Sequence, residues 1–225
     1  MSSDYTITIQ NSTGDENQSF RYIAFGFPQP TSAAVGGTGL PVVFFRSQLL
    51  NNGDQARFTL SPEVYGFFGN SSQSNTSLTA GANVSLTKQI AVQLGDSTGN
   101  GTVLEAKPKE SGSGIDFHAV GLTSEEGTFR IVVNNGVPAE NQYVVGVARK
   151  VDGIYNPTTV FGLNRGQRYT ITPVASIYIA RDNGTNTDTV VKPENFTVKQ
   201  QVDLRDGQFR AAATDTSTGF TVRYN

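Results

Sequence analysis

The chain has 225 residues, a mass of 24.1 kDa, a formal net charge of −2 and a pI near 5.4. It contains no cysteine, so a disulfide framework, a thiolate nucleophile and a cysteine zinc site are all excluded. The slightly acidic balance leaves no basic face for nucleic acid, and no run approaches the ~20 apolar residues of a membrane helix. Charged residues make up 16%, against roughly 25% in an average soluble domain. Asn, Gln, Ser, Thr and Gly fill the difference, which is the composition of turns and of solvent-facing strand positions. The length suffices for a full core in one domain, residues 1–225.

No basic n-region followed by an apolar h-region opens the sequence, so no signal peptide is expected. Asn-x-Ser/Thr sequons begin at Asn11, Asn17, Asn70, Asn75, Asn83, Asn100, Asn183 and Asn195. They are compatible with glycosylation in a secretory pathway, and equally with ordinary turn chemistry. They assign no compartment.

Period-two alternation begins at once. "YTITIQ" (5–10) sets Tyr5, Ile7 and Ile9 against Thr6 and Thr8. "RYIAFGF" (21–27) is apolar on both faces, which predicts a central strand. "VVFFR" (42–46), "ARFTL" (56–60), "VSLTKQIAVQL" (84–94), "TFRIVV" (128–133), "QYVVGVARKV" (142–151), "RYTITPVASIYIA" (168–180), "FTVKQQVDL" (196–204), "QFRAAA" (208–213) and "FTVRY" (220–224) follow. The separators are turn-rich, such as "NSTGDENQ", "NNGDQ" and "DNGTNTD". No window carries the i, i+3, i+4, i+7 spacing of a helix. About a dozen strands joined by short polar turns predict an all-β chain, a single antiparallel β-sandwich with almost no helix. Pro173, inside an apolar run, predicts an edge, a bulge or a strand that changes sheets.

Three stretches look irregular. Residues 28–41 are rich in Pro and Gly and read as a long loop. Residues 61–75 place Tyr65, Phe67 and Phe68 beside a mobile tip, and residues 150–167 place Tyr155 and Phe161 near turns. In the second strand, Ile23, Phe25 and Phe27 form a bulky face, predicted to fill an inter-sheet core. Tyr22, Ala24 and Gly26 form a small face. Glycine inside a strand marks close approach by something else, so this face is predicted to border a ligand pocket roofed by residues 28–41 and 61–75.

Residues able to do chemistry are few. His118 is the only histidine, and the period in "GIDFHAV" puts Asp116 on its face. The pair could be an oriented base or simply two solvent-facing groups. No nucleophile elbow, P-loop, calcium loop or metal-ligand cluster is present, so no metal and no cofactor are expected. Arg149 is in phase with Tyr143, Val145 and Val147, and Arg181 with Ile177 and Ile179; Arg46 follows "VVFF". Such arginines either snorkel outward or point into a pocket as donors. Arg149, Arg181 and His118 are therefore candidate catalytic donors. Tyr22, Gly26, Phe44, Tyr65, Phe68, Tyr143 and Tyr178 are candidate walls for a small-molecule site, since such sites pair aromatic walls with a few polar donors.

"YTITIQNSTG", "RYIAFGFPQP" and "GQRYTITPVASIYIA" resemble a family of small fungal proteins of similar length, related to enzymes that catalyse hetero-Diels–Alder reactions in polyketide–terpene biosynthesis. Tyr22 and Phe25 match that family's Tyr-x-x-Phe in the second strand. The resemblance implies a cofactor-independent pericyclase acting on a small apolar, polyketide-like substrate, and it transfers no catalytic residue. Such an enzyme orients two apolar partners and hydrogen-bonds a carbonyl. The alternative is a non-catalytic surface binding or adhesion module, glycosylated or not. A deep apolar pocket between residues 20–70 and 143–181 would favour the enzyme, and a filled core with polar faces would favour the module. The oligomeric state is left open.

Overall fold

The structure is a computed structural model that describes residues 3–28, 39–123, 125–182, 184–204 and 209–225. Among them the strands are β1 (Tyr5–Ser12), β2 (Tyr22–Gly26), β3 (Leu40–Pro41), β4 (Val43–Arg46), β5 (Gln55–Leu60), β6 (Tyr65–Ser71), β7 (Val84–Ala91), β8 (Gly101–Pro108), β9 (Ile115–Thr123), β10 (Phe129–Val133), β11 (Tyr143–Val151), β12 (Ile154–Gly162), β13 (Arg168–Ile171), β14 (Ser176–Arg181), β15 (Lys199–Asp203), β16 (Arg210–Thr216) and β17 (Gly219–Tyr224). The helical content of these residues is one 3-10 turn, Pro193–Asn195. The chain is all-β.

The strands form one large sheet and two small ones. The large sheet runs β17-β16-β1-β5-β11-β12-β3, with β6 on β11 and β7 on β6. It curls, and its two halves are joined at a single pair, Leu60–Val151. The small sheets run β13-β10-β8-β9 and β15-β14-β2-β4. Pairing is not wholly antiparallel: β1 lies parallel to β16, and β8 parallel to β10. Hairpin turns announce antiparallel neighbours locally, whereas these two pairs join strands that no turn connects. Pro173 falls between β13 and β14, which belong to different sheets, so the chain does change sheets there.

The large sheet offers one face to two cores. Tyr5, Ile7 and Ile9 of β1, Phe58 and Leu60 of β5, and Ala211 and Ala213 of β16 meet Tyr22, Ala24, Phe44, Ile177 and Ile179 of one small sheet. Val145 and Val147 of β11 and Phe161 of β12 meet Leu104, Phe117, Phe129, Ile131 and Tyr169 of the other. Along β11, Val145 and Val147 belong to the second core and Val151 to the first. Arg149, in phase with all three, stands at the seam between the cores.

This packing reverses the two faces of β2. β2 is central, between β14 and β4, and every residue of it is buried. The small face, however, is the one that enters the inter-sheet core. A Cβ on Gly26 would lie 1.9 Å from the Thr158 carbonyl oxygen, so what approaches this glycine is the backbone of β12 rather than a ligand. On the bulky face, Ile23 and Phe25 pack under Val191 and Phe196, with Phe25 stacked on Phe196 at 5.1 Å and Phe27 on Tyr178 at 5.0 Å. Large rings suit a face covered by an adaptable loop, and small residues suit one where sheets touch. The middle of the stretch 61–75 is likewise strand, β6. β6 is buried on both faces, so it shows no alternation, and Gly66 and Gly69 fit where Leu104 and the Ser85 carbonyl crowd in. Residues 154–162, read as lying near turns, form β12. Residues 28–41, predicted to form part of the roof, lie mostly outside the described residues.

One polar group is built into the first core. Asp215, on the inward face of β16, is fully buried. It accepts hydrogen bonds from the Tyr22 hydroxyl at 2.9 Å and from Arg181 Nε and Nη2 at 2.6 and 2.9 Å. The Phe20 ring lies 4.5 Å from the guanidinium, and Phe220 meets Tyr22 edge-on. The bidentate pair ties the large sheet to β2 and β14. Burial, followed by the hydrogen bond to Asp215, raises the Tyr22 pKa, and that same carboxylate raises the Arg181 pKa.

Asp215→Asn is expected to cost about 3 kcal/mol in urea unfolding, because it strands a largely buried cation; Tyr22→Phe should cost about 1.5 kcal/mol. Equal, small effects would show that the triad is incidental. Gly26→Ala should destabilise by at least ~2 kcal/mol through overpacking, and an unchanged midpoint would contradict the close approach of β12.

Candidate functional site

The structure does not gather the sequence-derived candidates into one pocket. Tyr22 and Phe44 are in the first core, Phe68 and Tyr143 in the second, where their rings lie 5.4 Å apart. Tyr65 packs on the opposite side of the large sheet, its hydroxyl on Glu63, with Lys150 Nζ 5.4 Å from its ring centre and 5.2 Å from that of Tyr155. Tyr178 is half-buried over Phe25 and Phe27. Arg181 is committed to Asp215, and Arg46 donates to Asp182 at 2.8 Å and to Asn186.

His118 is about one-third exposed on β9. Its Nδ1 lies 3.1 Å from Asp116 Oδ2, and its Nε2 lies 3.8 Å from Glu105 Oε2 on the neighbouring strand β8. The short Nδ1 contact lacks hydrogen-bond direction, so Nδ1 has no partner. The shared face read from the sequence is real, and His118 stands between two carboxylates on a partly exposed strand surface. Among the described residues, no group of three or more His, Cys, Asp or Glu side chains is arranged to hold a metal ion.

Gly26 and Arg149 do come together. With Phe27, Val147, Thr158, Pro173, Val174, Ser176 and Ile177 they line a cavity of about 10 Å³. That volume accommodates one water-sized particle, not the small-molecule substrate expected there.

A wider concave surface lies elsewhere, and sequence reasoning passed over it. Asn70 and Ser71 from β6, Ser72, then Asn83, Val84 and Ser85 at the start of β7, and Thr187 and Asp188 line an open groove of about 480 Å³. The segment after Asp188 is stitched between neighbours: Val84 N–H donates to the Asp188 carbonyl at 2.7 Å, and Val43 N–H to the Thr189 carbonyl at 3.0 Å. This stitching holds Asp188 at φ 62°, a left-handed conformation that Asp tolerates better than most residues. No donor among the described residues reaches its carboxylate, and desolvation raises its pKa above the ordinary 3.8. Around it the Ser72 hydroxyl accepts from Asn83 N–H at 2.9 Å, Asn83 Oδ1 accepts from Thr189, and the Asn70 amide donates to Thr87 at 3.1 Å. The segments "GNSSQSNT" and "DNGTNTD" supply five of these eight residues, and the start of β7 supplies the rest. Their composition was visible in the sequence; their meeting was not. Two sequon asparagines, Asn11 and Asn75, instead turn their amides inward, Asn11 to Leu50 O at 2.9 Å and Asn75 to Leu163 O at 3.0 Å.

Comparison of the chain with family models, curated proteins and solved structures returned no match.

Because the Asp188 carboxyl ionises at higher pH in the folded chain than in the unfolded one, ionisation costs stability. The cost grows as pH rises from 3.8 through the folded value and is constant above it. Asp188→Asn, which keeps the left-handed backbone, should therefore melt above wild type at pH 7 and match it near pH 3. A variant less stable than wild type at pH 7 would mean that the carboxylate has an internal partner.

Proposed function

We propose that the protein is a non-catalytic binding module that takes a polyhydroxylated ligand, of the carbohydrate class, in the groove around Asp188. The observation that carries this reading is an uncommitted, half-buried carboxylate held in a strained backbone conformation among amides and hydroxyls. Strain of this kind clusters at ligand sites. A carboxylate beside Asn and Ser side chains offers the paired acceptors and donors that vicinal hydroxyls require. The filled core beneath β2 favours a module that works through its surface.

A second reading rests on one observation. Arg149 stands beside Gly26 with donors to spare, where a cycloaddition catalyst would polarise a carbonyl. This reading accords with the Tyr22 and Phe25 resemblance, and it requires the seam to open to roughly 300 Å³.

The two readings separate in one pair of assays. Glycan-array screening followed by calorimetry should find a ligand whose affinity falls about 10- to 100-fold in Asp188→Asn, the worth of a charge-assisted hydrogen bond. No retained glycan, or equal affinity for the variant, would reject the module reading. Accelerated cyclisation of an electron-poor polyketide with an apolar terpene partner, lost in Arg149→Gln, would establish the second; a rate equal to the buffer background would end it.

A further inference from the structure

We propose that Arg149 holds a small monovalent anion of the halide class, chloride in ordinary salt, in the cavity at the seam between the two cores. This site is separate from the groove at Asp188.

The argument starts from burial. Arg149 is 7% exposed, and its one hydrogen bond to the described protein runs from Nη1 to the Ser61 carbonyl at 3.3 Å. No described carboxylate pairs with it, whereas Asp215, also buried, has a bidentate partner. An isolated buried cation is costly unless a counter-charge reaches it. Desolvation pulls the Arg149 pKa down to about 10, as expected of a cation without a counter-charge.

The cavity lining then selects the occupant. Its hydroxyls are already spent: Thr158 Oγ1 donates to Val147 O at 3.1 Å, and Ser176 Oγ donates to Asp203 Oδ1 at 2.9 Å. The Gly26 N–H donates to Val42 O. The guanidinium remains as a donor with capacity to spare, since it carries five N–H bonds and uses one. Pro173, Val174, Ile177, Val147 and Phe27 supply the apolar half of the remaining wall. A recess of about 10 Å³ beside a positive donor with spare N–H groups suits a monatomic anion and is too small for sulfate, phosphate or a carboxylate ligand.

The test compares thermal unfolding of the full chain in sodium chloride and in sodium gluconate at matched ionic strength. Gluconate is too large to enter. Wild type should melt about 3 °C higher in chloride at saturation. Arg149→Met, which retains the shape and removes the charge, should melt alike in both salts. A bromide-soaked crystal of wild type should show an anomalous peak within hydrogen-bond distance of the guanidinium. Equal melting of wild type in the two salts, a chloride effect that persists in Arg149→Met, or a bromide-free water at the guanidinium would overturn the proposal.

Discussion

The pairing of Asp215 with Arg181 and Tyr22 is the interaction on which the arrangement of sheets depends. Asp215 continues the inward face of β16 set by Ala211 and Ala213, and Arg181 continues the inward face of β14 set by Ile177 and Ile179. Each ionic group alone would be a costly intrusion into an apolar core. Together they satisfy both carboxylate oxygens, and Tyr22 adds a third donor. Hydrophobic burial tolerates sliding of one sheet over another, but a bidentate ion pair tolerates very little. The triad therefore ties β2 and β14 to β16, which pairs in parallel with β1.

The second organising feature is the seam. One curled sheet cannot be covered by one flat sheet, because twist carries the two apart. Here two small sheets divide the work, and the chain crosses between them at Pro173. Where they part, the large sheet must either expose apolar surface or carry something polar. It carries Arg149. The backbone approach of β12 to Gly26 and the charge on Arg149 are two results of the same geometry, so the residues singled out in the sequence do share a cavity, but one sized by packing.

Candidate site residues were legible to the extent that phase reveals direction. Arg149 and Arg181 are in step with apolar neighbours, and both do point inward; His118 and Asp116 do share a face. Phase says nothing about what lies opposite. The partner of Arg181 is 34 residues away, and Tyr22 reaches across 193 residues to the same carboxylate. The Asp188 groove is harder still to read, because its lining joins the ends of β6 and β7 to turn residues whose polar composition recurs along the chain. What distinguishes it is a left-handed backbone and an unshared carboxylate, both imposed by the strands stitched on either side.

The all-β character, the near-absence of helix among the described residues, the centrality of β2 and the break at Pro173 were determined by the sequence itself. Alternation, turn residues and proline chemistry are local properties, and they act over a few residues whatever surrounds them. Which face of β2 enters the core, which strands pair in parallel, and which arginine finds a carboxylate were decided only in the tertiary structure. Those outcomes depend on the distance and shape of surfaces far apart in the chain. The small face of β2 could have met a ligand or a sheet, and both would ask for glycine; only the position of the Thr158 carbonyl settles that it met a sheet.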